Sequence, residues 1–129
     1  MSKEEKRGVH MIHEDSQLGE VQIADEVVAT IAGLAATEVE GVASMAGNIT
    51  NELIGKLGVK NLSKGVKVLV TDRSVDVDLA LNIEYSYSIM KVSEKVQDRV
   101  KSAIENMTGL EVAMVNIRIV NVNMGKEDK

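Results

Sequence analysis

Few residues in this chain could do chemistry, and their spacing commits none of them to it. His10 and His13 are the only histidines; they lie three apart and precede Glu14 and Asp15, so a helical segment could turn them toward one metal ion. With no rigid apolar neighbour to hold that geometry, the same residues read as a polar tail. Asp72, Asp76 and Asp78 offer oxygen ligands for a hard cation, yet they miss the calcium-loop spacing and its glycine. Asp76 and Asp78 alternate with apolar residues, which is the pattern of a solvated strand face. Glu38 and Glu40 are paired carboxylates with nothing beside them to mark proton transfer or sugar hydrolysis.

Nucleophilic catalysis has no inventory here. Cysteine is absent and no histidine falls inside the expected folded core, so neither a thiolate nor a histidine-activated hydroxyl can be assembled. Gly55-Lys56-Leu57-Gly58 lacks the phosphate-loop pattern and does not follow a strand. The sequence therefore predicts no catalytic, cofactor-binding or metal-binding residue, and a protein that is not an enzyme.

Charge speaks to partners instead. The net charge of −5 and pI near 5.1 argue against general affinity for nucleic-acid phosphates, and only Tyr85 and Tyr87 could stack on a base. From Gly8 through Gly55 there are eight acids and no Lys or Arg, after which Lys56, Lys60, Lys64 and Lys67 follow without an intervening acid. An acidic half beside a basic block could orient a partner or a second copy; solvated loops and helix faces are the commoner cause of such clusters. No apolar run approaches the ~20 residues that span a bilayer, and there is no signal-peptide core. With cysteine also absent, the expected location is the cytosol.

The elements that would position these residues follow from hydrophobic period. Residues 1–17 are polar and aperiodic, an expected flexible tail, and 124–129 form a charged end; the domain is expected over 18–123. Val21 and Ile23 alternate with polar neighbours in a short strand, and Asp25 is placed to cap the helix after it. That helix, about Glu26 to Thr37, carries Val27, Val28, Ile31, Leu34 and Ala35 among the small residues Ala29, Ala32, Gly33 and Ala36, leaving almost no polar face. Glu38 to Ala46 reads as a loop with a possible extended segment, Asn48 to Leu57 as a short helix, and Gly58 to Gly65 as a loop.

Val66, Val68 and Val70 form one strand. After Asp72, Arg73 and Ser74, a second strand carries Val75, Val77, Leu79, Leu81, Ile83 and Tyr85 in one phase, giving an antiparallel hairpin. Val92, Val96, Val100, Ala103, Ile104 and Met107 make the stripe of a second helix, with Ser88 or Ser93 to start it and Gly109 to end it. In the last strand, about Val112 to Val122, the apolar phase slips between Ile119 and Val120, which implies a bulge or burial on both faces. The sum is an α+β two-layer sandwich in the order β-α-linker-β-β-α-β, with a small, mostly antiparallel or mixed sheet of about four strands under two main helices. A ferredoxin-like strand order is the natural expectation.

With chemistry unassigned, the candidate surface is one for association. Ala29 with Gly33 and Ala32 with Ala36 are small pairs one turn apart that would let another backbone approach, whether inside the domain or from a second copy. The four lysines of the basic block complete the predicted interaction surface.

The segments GEVQIADEVVATIAGLAATEVEGVASMAG (Gly19–Gly47), KGVKV (Lys64–Val68), VDVDLALNIEYS (Val75–Ser86) and KVQDRVKSAIENMTGLEVAMVNIRIVNV (Lys95–Val122) together resemble the alkaline-shock and general-stress envelope protein family of Gram-positive bacteria. The resemblance covers about Leu18 to Asn123. It implies a non-enzymatic cytoplasmic scaffold for envelope homeostasis, peripheral at the inner face of the membrane through a membrane-anchored partner. For some relatives it implies instead a regulator of fatty-acid synthesis acting on acetyl-CoA carboxylase, so the partner would be a lipid-synthesis enzyme. No site residue carries over. A homo-oligomer is expected from the two faces of charge and the small-residue helix.

Overall fold

The computed structural model describes residues 9–13, 18–19, 21–46 and 65–124. Its centre is strand β5 (Ser74–Glu84), whose residues Val75, Val77, Leu79, Leu81 and Ile83 are all buried on one face, as the period-two pattern requires. Strand β4 (Val66–Thr71) pairs with it antiparallel through a tight turn at Asp72 and Arg73, where Asp72 takes a positive φ of 53°. The short polar side chain of an aspartate tolerates that region.

Strand β3 (Val42–Met45) continues along the same edge of β5 where β4 leaves off. Ala80 marks the junction: its N–H donates to Gly65 O and its carbonyl accepts from Ala46 N, both at 2.9 Å. The opposite edge belongs to β6 (Glu111–Asn123), which runs parallel to β5 over its whole length. A parallel neighbour demands a crossover. Helix α2 (Ile89–Thr108) supplies it, packing with α1 (Asp25–Thr37) over the apolar face of the sheet.

Helix α2 starts where Ser88 Oγ accepts from Lys91 N and stops at Gly109, whose φ of 78° lets its N–H reach back to Glu105 O. Val92, Val96, Val100 and Ile104 are its buried stripe. Met107, expected in that stripe, is 70% exposed; Thr108 takes the inward position, its hydroxyl donating to Ile104 O and accepting from Leu110 N. Asp25 lies one residue inside α1 rather than capping it, because the helix begins directly from the extended Ala24.

Two further expectations are corrected. The ferredoxin-like order is not realised. The strand before α1, β2 (Val21–Ala24), is only four residues long, and it pairs not with the main sheet but with β1 (Val9–His13), in a segment expected to be tail. The stretch after α1, read as a loop with a possible extended segment, does contain one, β3. Tyr85 does not continue the buried phase of β5, which ends at Glu84; the positive φ of Ser86, 81°, turns the chain there. The slip in β6 is a bulge, its register against β5 shifting between Leu81 and Asn82 so that Val120 is exposed. The expected helix at Asn48 to Leu57 and most of the loop after it lie outside the described residues.

As a sheet edge, β6 would invite unintended pairing. Helix α2 covers its first half. Gln97 Nε2 donates to Val115 O, Lys101 Nζ to Val112 O, and Glu105 accepts from Val112 N.

Candidate interaction surfaces

The structure places the small-residue stripe of α1 inside the domain. Ala29, Ala32, Gly33 and Ala36 are all buried, so their small size lets α1 sit close to the rest of its own fold, and their side chains are not available to a partner. Lys67 is exposed on the sheet face away from the helices, in a shallow depression shared with Asp78, Asn116 and Arg118. Lys56, Lys60 and Lys64 lie outside the described residues.

Three of the carboxylates that might have done chemistry have structural partners. Asp78 accepts from Asn116 Nδ2 at 2.8 Å, Glu38 pairs with Arg99, and Glu40 accepts from the Tyr87 hydroxyl at 3.1 Å. Among the described residues no three His, Asp or Glu gather closely enough to hold a metal ion.

Two surfaces that the sequence reading did not single out are apolar and open. One is a groove of about 670 Å³ between α1 and α2 on their outer side. Its floor and walls include Val27, Ile31, Leu34, Ala103 and Met107; Val27 is 45% exposed although its period suggested core. Even Thr30 turns little polarity into it, since its hydroxyl donates to Glu26 O at 2.8 Å. The Glu38–Arg99 ion pair bridges the two helices at one end.

The other surface lies where β5 hands over to α2. Tyr85 (61% exposed), Tyr87, Ile89 and Met90 (68%) follow one another there, and Tyr85 N donates to Asn123 O, bringing the exposed Met124 alongside. Exposed apolar residues concentrated in one run are characteristic of binding surfaces. Tyr87 is held in place. Gly41, at φ 101°, leaves room for its ring: a methyl at that position would come within 2.8 Å of Tyr87 Cδ2 and 2.6 Å of Val92 Cγ2. The hydrogen bond to Glu40, with the negative charge of Glu40 and then of Glu84, holds the phenol above the ordinary tyrosine range. The signal was legible: the chain has two aromatics, and both flank one serine between a strand and a helix cap.

Comparison with known proteins settles the family. The sequence profile of the alkaline-shock protein family, described as having a cell envelope-related function, matches residues 13–124. The chain belongs to this family. Among the relatives of this alkaline-shock protein, YqhY of Bacillus subtilis (strain 168) is 42% identical over 112 residues, covering 87% of this chain and 83% of YqhY. A stress response regulator gls24 homolog of Streptococcus pyogenes serotype M3 is 30% identical over 105 residues, 81% of this chain and 59% of that protein. Among solved structures, a MamM CTD variant aligns at 11% identity with a TM-score of 0.47, over 74% of this chain and 93% of that one. Among the described residues, no helix of this alkaline-shock protein is long and apolar enough to cross a membrane.

Proposed function

We propose that this alkaline-shock protein is a non-enzymatic docking module, recruited to the cytoplasmic face of the cell envelope by a membrane-anchored protein partner. One observation carries the reading: the two aromatic side chains stand on the surface rather than in the core, with Tyr87 held on Gly41 and by Glu40 and with Ile89 and Met90 beside it. A rigid aromatic loses little conformational freedom on binding, which favours its use as an anchor. The carboxylates of Glu40 and Glu84 act on the same patch, so the complementary partner segment combines apolar side chains with positive charge. The envelope-related role of the family supports the location.

The test is the position of a fluorescent fusion in growing cells. The wild-type fusion is expected at the cell periphery, and Tyr85→Ser combined with Met90→Asp is expected to disperse it while the melting temperature of the purified variant stays unchanged. A variant that remains peripheral, or a wild type spread evenly through the cytoplasm, overturns the reading.

A further inference from the structure

We propose that Met90, together with Met124, is a modification site through which oxidation releases this chain from its partner: a hydroperoxide turns the thioether into a sulfoxide, and the aromatic patch no longer docks. The inference deepens the docking reading above and rests on it.

Methionine is ordinarily a core residue. Met45 follows that rule, with no exposed surface, whereas Met90, Met107, Met114 and Met124 are each at least half exposed. Two of these four belong to the patch. Met90 lies in the first turn of α2, and Met124 follows Asn123, whose carbonyl accepts from Tyr85 N at 3.0 Å. A flexible, polarizable thioether moulds itself to a partner's apolar side chains, which suits it to a docking surface.

The same sulfur is the reactive atom of the patch. Cysteine and tryptophan are absent, so within this chain the thioethers are the first groups that a two-electron oxidant attacks. A sulfur lone pair attacks one peroxide oxygen, the O–O bond breaks and an S–O bond forms. The sulfur is oxidised by two electrons, the peroxide is reduced, and its second oxygen departs with the protons as water. The product is a polar sulfoxide, an acceptor that an apolar contact leaves without a hydrogen bond. Exposure keeps the change local: the oxidant reaches Met90 without unfolding the chain, while Met45 is shielded in the core. Methionine sulfoxide reductases reverse the step, so docking returns once the oxidant is gone.

The test treats the purified full chain with hydrogen peroxide, removes the peroxide, maps the sulfoxides by peptide mass spectrometry and measures co-sedimentation with membrane vesicles from the source cell. Met90 and Met124 are expected to carry one oxygen each and Met45 none, with unchanged circular dichroism. Affinity for the vesicles is expected to fall at least about tenfold and to return after incubation with methionine sulfoxide reductases. The ratio of treated to untreated affinity is read for two variants as well. Met90→Leu combined with Met124→Leu is expected to lose nothing on treatment, and Met107→Leu combined with Met114→Leu to lose as much as the wild type. The inference is overturned if Met90 stays reduced while Met107 is oxidised, if the oxidised wild type binds as tightly as the untreated one, or if treatment weakens the Met90→Leu and Met124→Leu variant as much as the wild type. Those three outcomes leave the docking reading standing; a wild type that fails to bind the vesicles before treatment overturns both.

Discussion

Asn82 donates its Nδ2 to Ser44 Oγ at 2.8 Å, and both side chains are buried where β3 joins the central strand. This bond ties the stretch after α1, whose pattern allowed only a short extended segment, into the main sheet. Asn82 has a longer contact of 3.4 Å to Met45 O, so the hydroxyl is its principal acceptor.

Removing that acceptor is expected to strand a buried amide. Ser44→Ala should cost about 1–3 kcal/mol, the usual penalty for an unsatisfied buried donor. For a domain of this size that is a fall of roughly 5–15 °C in melting temperature. Thermal unfolding followed by circular dichroism reads it; a melting temperature unchanged within a degree would show that the bond contributes nothing.

Gly41→Ala should act on fold and patch together. Its φ of 101° disfavours any side chain, and the new methyl would collide with Tyr87 and Val92. A loss of about 1–3 kcal/mol is expected from strain and overpacking. Because the chain has no tryptophan, its fluorescence comes from Tyr85 and Tyr87, and a shifted Tyr87 ring should change the near-ultraviolet circular dichroism. A variant with wild-type stability and spectrum would contradict the placement of Tyr87 on Gly41.

Much of this architecture was legible in the residues. The alternation of Val75 through Ile83 specifies a strand with one buried face, the stripe from Val92 to Ile104 specifies α2, and Gly109 marks its end, because each pattern is local and repeats. The strand partners were less legible. Val21 and Ile23 alternate as a strand should, but nothing in four residues says whether they join the main sheet or pair with Val9–His13. The surfaces were least legible. Val27 and Met107 have the period of core residues, and only the positions of the two helices relative to each other leave them facing the same open groove. Conversely, the small residues Ala29 to Ala36 satisfy a self-association pattern and an internal packing pattern alike; the sheet beneath them decides.

The acid limb of stability should carry a contribution from Glu105. Val112 N donates to its Oε2 and Lys101 lies on the same oxygen, both at 2.9 Å, which lowers its pKa below the ordinary glutamate value, the backbone bond first. A carboxylate depressed on folding stabilises the fold above its unfolded pKa, about 4.3, and that contribution disappears as pH falls through the folded value. Glu105→Ala should therefore lower the urea midpoint at pH 7, and the difference from wild type should shrink steadily below about pH 4. A difference independent of pH would mean that the side chain acts through packing rather than charge.

The central claim is that a protein, not lipid, holds this chain at the envelope, and co-sedimentation with membrane vesicles from the source cell tests it most directly. The chain should pellet with untreated vesicles, stay in solution with protease-stripped vesicles or vesicles of the extracted lipids alone, and lose its binding to untreated vesicles when Tyr85→Ser and Met90→Asp are combined. Equal binding to stripped membranes or pure lipid, or undiminished binding of the double variant, would contradict the account.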